Sequence, residues 1–568
     1  MSKGQSDVMA LNADVLIIGF GSAGLRAALE AARAGAEVLV VGKDRLNEGG
    51  ATGYGASEVA GFNVGDGATD PLDNPGEHYR DIMGAAQGMA DPVLARMLAE
   101  EAPLAYEDLK GFGVPFREEQ GRPVAISGCF ATRPRMHIIP GHGKPILSAL
   151  RRELSRYPVK FLEEHLVLDL AVKEKRCMGA LAMGKDGQPL LITAGAVVLA
   201  AGGAGHLFSP SLYPESITAD GYALAYRAGA TLVNMEFMQA GLGILIPGYP
   251  PSLLNAWLWK LKPRLIDEEG DEVLYRYLPD PDLMEQCYRD KGHFPFSVAD
   301  ASRYLEIAVK KESIKGKVYL DFTGASPEGL SDPNLKSVFQ ATREWYAARG
   351  VDLLKSPVEV TCVGHAVNGG AKIGPEGDTD LPGLYAAGEV AGGPHGADRL
   401  GGNMLLACQV FGRRAGKAAA RYALEGHRPS LGEPRWVRGF LANRWAGVDQ
   451  TTFSSIRRRL QEAMYRDYLI VKDASSLARL KNTIDALRLE VSDKSSLGAS
   501  PESVWKTQEL KNLLDVAGIM ASAAGLRTES RGGHYREDFP KKDPGWERVI
   551  TCTYRAGREP VLGTKSFS

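Results

Sequence analysis

Gly19, Gly21 and Gly24, in GFGSAG, are spaced as GxGxxG. In that pattern the first glycine makes a tight turn, the second lets backbone approach a pyrophosphate, and the third lets a helix meet a strand. The pattern alone is weak, but its surroundings strengthen it. Asp14 to Gly19 (DVLIIG) is an apolar run of strand length, and Leu25, Ala28, Leu29 and Ala32 follow at helical spacing. Gly35 ends that helix, and Glu37 to Val41 (EVLVV) is a second strand. This is a complete βαβ unit, whose helix N-terminus offers free N–H groups to phosphates. The acid expected after the second strand, which would hold a ribose hydroxyl, is missing; Gly42 and Lys43 stand there. A second loop lies between Gly383 and Gly416, GLYAAGEVAGGPHGADRLGGNMLLACQVFGRRAG. A short strand, Leu384 to Ala387, runs into Gly388 and Glu389. A glycine-dense loop with a buried-looking arginine, Arg399, follows, and a helix opens near Asn403. Such a loop binds a phosphate or a ring against the end of a sheet.

The elements that must position these loops belong to a chain of 568 residues, 44% hydrophobic and 24% charged. Those values are ordinary for a soluble globular enzyme with more than one structural unit. Net charge is -2 and no Lys/Arg run stands out, so nothing points to nucleic acid. The 66 glycines cluster at 19–24, 49–61, 202–205 and 388–402, where backbone must approach a ligand or turn with positive φ. No two of the six cysteines are spaced as CxxC, which argues against zinc, an iron–sulfur cluster or attached haem in this chain. Scattered thiols fit core filler in a reducing cytoplasm. There is no charged leader followed by an apolar stretch and no run long enough to span a membrane; peripheral association through a partner stays open.

Further along, Ala196 to Gly205 (AVVLAAGGAG) is a third glycine-rich strand end, and Thr218-Ala219-Asp220-Gly221 opens a helix through Tyr226. Residues 237 to 355 break the α/β rhythm. After 430 the pattern is helical: Leu477, Leu480, Ile484 and Leu487 follow helical spacing, with Ser476 as the N-cap, and Lys511 to Met520 is a further amphipathic stretch.

The run from Gly383 to Gly416 strongly resembles the flavoprotein subunits of fumarate reductase and succinate dehydrogenase, relatives of L-aspartate oxidase and adenylylsulfate reductase alpha subunits. Gly42-Lys43 matches the small residue and lysine common in that superfamily. Thr218 to Gly221 resembles its TGDG element, with Ala219 in place of the first glycine, and Glu529 to Pro540 (ESRGGHYREDFP) is similar to its C-terminal signature. The resemblance implies an α/β fold. A discontinuous Rossmann-like FAD-binding domain (1–236 and 356–430) would carry an inserted capping domain (237–355) and a C-terminal helical domain (431–568). It implies FAD contacts at Gly19, Gly21, Ser22, Ala23 and Gly24; at Lys43; at Gly50, Ala51, Thr52, Gly55 and Ser57 in the turn 49–57; and at Val167 and Asp220. Glu389 would hold the ribose, unless it is a solvated loop acid, and Asn403, Met404 and Leu405 would lie against the rings. Members that attach FAD covalently do so through a histidine just before that turn. Gly49 to Ala60 (GGATGYGASEVA) holds none, so non-covalent FAD is expected.

Reduction in this superfamily needs a hydride from the flavin, a clamp for the substrate's anionic group and a proton donor. Arg399 in HGADRLGGN matches the clamp arginine, whose planar, always-charged fork suits a carboxylate; the alternative is an ion pair with an acid such as Asp398. His365 in HAVNGG matches the HxxxGG histidine; the alternative is a core histidine satisfied by backbone. Two expected residues are absent. The EFxQFHPT-like segment reads EFMQAGLGI from Glu236, and the RDxxS donor segment reads SVADASR from Ser297, with Val298 or Ala299 at the arginine position and Arg303 within about a turn. The expected substrate is therefore an anionic small molecule other than fumarate, with electrons from a partner iron–sulfur subunit. Readings as an adenylylsulfate-reductase-like, L-aspartate-oxidase-like or substrate-free electron-transfer protein remain open. Asn255 to Glu272 has a register like the adenylylsulfate reductase cap. Trp257 and Trp259 either pack under a lid or wall an aromatic substrate, and Lys260, Lys262 and Arg264 either meet an anion or face solvent.

Overall fold

The computed structural model describes residues 9–46, 50–326, 330, 333–426, 446–555 and 559–567. Its βαβ unit comprises the strand Met9–Ile18, the helix Ser22–Arg33 and the strand Val38–Val41. Val15–Ile18 pairs in parallel with Val38–Val41, and Met9–Ile18 pairs in parallel with Pro189–Leu199. The first strand begins at Met9 rather than Asp14 because Met9–Ala13 finds partners in Leu190–Ala194. Val38–Val41 and Pro189–Leu199 are buried along their whole length, as central parallel strands covered on both faces must be.

The sheet extends beyond Val38–Val41 to Lys160–Leu162, and beyond Pro189–Leu199 to the antiparallel strands Arg176–Gly184 and His165–Lys173. Leu384–Ala386 adds in parallel at Val197–Leu199. The two glycine loops, far apart in sequence, therefore leave the same sheet from strands on either side of Pro189–Leu199, at an edge where open α/β sheets bind ligands.

A second, antiparallel sheet orders Ser252–Leu253, Met238–Ile244, Val358–Val367, Val318–Asp321 and Arg264–Ile266. Val358–Val367 pairs with both Met238–Ile244 and Val318–Asp321. This second sheet therefore joins strands from both sides of residue 355, and its strand Val358–Val367 carries His365.

The C-terminal helices are Gln450–Asp467, Ala474–Lys494 and Pro501–Leu526. Leu477, Leu480, Ile484 and Leu487 are buried as their spacing requires. The N-cap of their helix is Asp473, not Ser476. Asp473 accepts from the Ser476 N–H and Ser476 Oγ accepts from the Asp473 N–H, a reciprocal box that places Ser476 at the third helical position. Residues 512–514 and 516–521 are all buried, so this stretch is an interior helix rather than an amphipathic one. The C-terminal part is not helical throughout: Val549–Thr553 and Val561–Lys565 form a hairpin that pairs with Leu232–Val233. The boundary drawn at 430/431 lies outside the described residues. Among the described residues no helix is long and apolar enough to cross a membrane.

Candidate functional site

A single elongated cavity takes its lining from all the glycine-rich turns. Gly19, Gly21, Ser22, Ala23, Lys43, Gly50, Ala51, Thr52, Ser57, Val167, Asp220, Glu389, Met404 and Leu405 line it, as do His365 and Arg399. Gly49 lies outside the described residues. Gly24, Gly55, Asn403 and Arg303 stand behind or away from the lining. A Cβ on Gly24 would sit 2.1 Å from the Gly19 carbonyl oxygen, so this glycine serves helix–strand packing. Gly55, with φ +75°, ends the short helix Ala51–Tyr54. The Asn403 side-chain oxygen accepts from Asn63 Nδ2 at 2.7 Å and His78 Nε2 at 3.0 Å, fixing the helix start from outside the cavity. Arg303 Nη1 donates to the Val298 carbonyl at 3.0 Å, and Arg303 is not among the residues lining the cavity.

Two helices begin at the cavity without a side-chain cap: Ser22–Arg33 after Gly21, and Asn403–Leu424 after Gly402. Other helices, such as Ala102–Gly111 and Arg303–Glu312, also lack a side-chain cap, so it is the position of these two starts at the cavity that matters. Ser22 N–H reaches Thr52 Oγ1 at 3.4 Å and Asn403 N–H reaches the Leu400 carbonyl at 3.1 Å; the N–H groups of the next residues suit a ligand rich in acceptors, such as a pyrophosphate or a flavin ring. The turn at Gly19 has no room for a side chain: φ is +120° and a Cβ would lie 2.2 Å from the Ala200 carbonyl oxygen. These features fit FAD.

At one end Lys43 Nζ lies 2.8 Å from both Asp220 and Glu509. Burial would depress its pKa, but the two carboxylates outweigh that and raise it. Ala219, which replaces a glycine, adopts the left-handed conformation at φ +65°. That costs a non-glycine residue about 1 kcal/mol and explains the usual preference. Glu389 is buried, not solvated. It accepts from the Val367 N–H at 3.1 Å and the Tyr213 hydroxyl at 2.9 Å, and burial pushes its carboxyl up to about 7.

At the other end Arg399 Nε donates to Gln239 Oε1 at 2.9 Å, Nη1 donates to the Leu400 carbonyl at 3.1 Å, and Gln239 Nε2 donates back to the Arg399 carbonyl at 3.3 Å. No carboxylate pairs with Arg399 among the described residues. Asp398 turns the other way, accepting from Ser297 Oγ at 2.6 Å and Gln87 Nε2 at 3.1 Å, and burial pushes it up to about 7. His365 stacks on Tyr213 with ring centroids 5.5 Å apart and meets the edge of Phe294 at the same distance. Its Nδ1 is buried and unpartnered, so backbone does not satisfy it. Burial, helped by Arg399 and His142, drops its pKa to about 3, and the ring is neutral.

The C-terminal signature braces this end. Arg527 pairs with Glu236 and Glu529 at 2.8 Å each, and Arg531 pairs with Glu529 at 2.6 Å. Glu236 precedes the strand that presents Gln239, and Gly532 packs on Ala397 just before Arg399.

Sequence reasoning missed Gln239, Tyr213, His142, Phe294 and Cys129. Gln239 was visible in EFMQ and His142 among the glycines of PGHGKP; Tyr213 and Phe294 carry no local signal. Cys129 and Cys408 line the cavity, Cys408 from within the main core. Trp257 lines it too, with its indole N–H on Thr342 at 3.0 Å, whereas Trp259 is packed away. Lys262 pairs with Glu285 and Arg264 with Asp321; neither these two nor Lys260 reaches the cavity.

Paired glycine loops and helix starts at one cavity fit a dinucleotide-binding oxidoreductase. Residues 14–405 match the FAD binding domain family and residues 457–565 the fumarate reductase flavoprotein C-terminal family. The chain is 33% identical over 555 residues to one of the subunits of the CoM/CoB fumarate reductase of Methanothermobacter marburgensis, covering 94% of this chain and 96% of that one. It is 30% identical to L-aspartate oxidase 1 of Ralstonia nicotianae, covering 94% and 97%. Among solved structures, Sdh1 of Mycobacterium smegmatis superposes with a TM-score of 0.84 at 26% identity, covering 98% and 94%. Adenylylsulfate reductase of Archaeoglobus fulgidus shares the fold with a TM-score of 0.76 at 20% identity, covering 99% and 98%. The chain belongs to the fumarate reductase/succinate dehydrogenase flavoprotein family and is an FAD-dependent oxidoreductase.

Proposed function

We propose that the protein reduces or oxidises an anionic small molecule other than fumarate, held by Arg399 beside non-covalent FAD. The observation that carries this is the Arg399 guanidinium, fixed by neutral partners and left without a carboxylate. A buried arginine with no carboxylate at ion-pair distance, and only Glu389 acting on it from further off, is better compensated once an anion binds beside it. FAD, when bound, supplies two-electron chemistry. The uncapped starts at Ser22 and Asn403, with Gly21, Thr52, Asp220, Glu389, Met404 and Leu405, would hold it. His365 would hydrogen-bond the substrate as a neutral ring through a ring nitrogen, and the strands above it would exclude water.

Electrons would come from a separate iron–sulfur protein. The six free thiols fit a reducing compartment, and we place the protein in the cytoplasm. The 33% identity to a fumarate reductase keeps fumarate as the second reading; against it stand Gly241 or a neighbour, and Val298 or Ala299, where that chemistry places a clamp and a donor. Anaerobic photoreduction followed by separate additions of fumarate, adenylyl sulfate, sulfite and air tests the proposal. No return of the flavin band with fumarate is expected. Prompt return with fumarate overturns it, and a response to the sulfur compounds moves the chain toward adenylylsulfate reductase. Fast reoxidation in air with peroxide release marks an oxidase.

A further inference from the structure

Resting on that reading, we infer that the Arg399 end of the cavity selects a single-headed organic anion, with one acidic group on Arg399 and a flat apolar body against Phe294, in preference to a dicarboxylate.

The charges of the cavity support one acidic group. Its lysine and arginine lining residues are Lys43 and Arg399. Lys43 is already matched by Asp220 and Glu509, each at 2.8 Å. Arg399 has no carboxylate within ion-pair distance among the described residues; Glu389, whose carboxyl burial pushes up to about 7, acts on it only from further off. A second carboxylate brought beside it would be desolvated with no cation of its own, an unfavourable arrangement for a buried charge.

The walls carry the rest. Phe294 lines the cavity edge-on to His365, with centroids 5.5 Å apart. Gly241 lies under Phe294: a Cβ there would meet the Phe294 carbonyl oxygen at 2.6 Å and its ring at 2.8 Å. No side chain can therefore extend from Gly241 to offer a second hydrogen-bonding group. Leu212, Val363, Leu253 and Cys129 pack around the same ring, and Cys129 Sγ is engaged by the Phe294 N–H at 3.1 Å. Tyr213 covers the other face of His365, while its hydroxyl is held by Glu389. Besides apolar surfaces, the cavity is lined by the imidazoles of His365 and His142; His142 Nδ1 is taken by the Thr52 carbonyl at 3.3 Å, and the Asn255 amide nitrogen is taken by Glu58 at 3.2 Å. Burial keeps both His365 and His142 below the ordinary histidine range, so neither supplies a second positive charge at neutral pH.

Such a surface recognises a planar apolar group through area and ring edges. The test uses the oxidised holoprotein and two saturated, unreactive acids, 3-phenylpropanoate and succinate. Each is titrated by the shift of the visible flavin band and, on the same samples, by calorimetry. The expected result is 3-phenylpropanoate binding tighter than succinate by on the order of tenfold or more. Arg399→Gln should weaken 3-phenylpropanoate by at least about tenfold. Phe294→Leu, which keeps the site apolar, should shrink the preference while leaving flavin content and succinate affinity unchanged. Equal or tighter binding of succinate, still lost in Arg399→Gln, overturns this inference and leaves the anion-binding role of Arg399 standing. Failure of both acids to bind, or binding indifferent to Arg399→Gln, overturns the inference and the anion-binding role together. A preference unchanged in Phe294→Leu assigns the selectivity elsewhere and overturns the wall argument.

Discussion

Arg399 and Gln239 hold each other reciprocally: the guanidinium Nε donates to the Gln239 amide oxygen at 2.9 Å, and the amide nitrogen donates to the Arg399 carbonyl at 3.3 Å. The partner is neutral, so it orients the fork without consuming its charge. Replacing Gln239 by Glu places a carboxylate against the guanidinium at nearly the same geometry. Anion affinity, read from the flavin band shift, is expected to fall on the order of tenfold or more, because a buried charged pair competes with the ligand. Flavin content should stay at wild type. Unchanged anion affinity would mean that Gln239 does not set the charge available at this site.

Gly21 and Gly24 separate ligand approach from packing. A methyl group on Gly21 meets nothing nearer than Thr52 Oγ1 at 3.8 Å, whereas one on Gly24 lies 2.1 Å from the Gly19 carbonyl oxygen. Gly21→Ala is expected to fold with a near-normal flavin-free melting temperature but to bind FAD at least about tenfold more weakly. Gly24→Ala should lower the melting temperature itself. Wild-type FAD affinity in Gly21→Ala would remove the loop from the phosphate site.

Glu389 makes the flavin-free protein sensitive to pH. Burial holds its carboxyl up to about 7, against about 4.3 in the unfolded chain. Between those values the folded state keeps a proton that the unfolded state has released, so stability falls as pH rises through that window and stays lower above it. Asp398, also pushed up to about 7, acts in the same direction. Comparison with Glu389→Gln isolates one carboxyl: the wild-type melting temperature should drop relative to the variant from pH 5 to pH 8. A constant difference would show that Glu389 titrates normally.

The flavin should leave the protein on acid precipitation. Gly49 to Ala60 contains no histidine, although His142, from a different segment, reaches the Thr52 carbonyl at 3.3 Å. Flavin retained in the pellet, and lost in His142→Ala, would identify an attachment the sequence pattern does not contain.

What was legible in the sequence were features with local periodicity: the βαβ unit, the strand end at Leu384, the helix start at Asn403 and the buried face around Leu480. What was not legible depended on pairing across long sequence separations. Nothing near Val358 announces that its strand joins the second sheet, because an apolar strand reads alike in either sheet. Ser476 reads as a cap until Asp473 is seen to complete the box. Phe294 and Tyr213 enter the site where Gly241 and Gly205 leave space for their rings, and Arg303 is near Val298 in sequence yet directed at its carbonyl.

The most direct measurement is anaerobic reoxidation of the photoreduced holoprotein by a series of unsaturated carboxylates, run in parallel for wild type and Arg399→Gln. Recovery of the flavin band with at least one acid in wild type is expected. Its rate in the variant should be slower on the order of a hundredfold, the scale of losing one charge-assisted contact, with equal flavin content. Equal rates in the two proteins, or recovery only on admitting air, would contradict an anionic substrate held by Arg399.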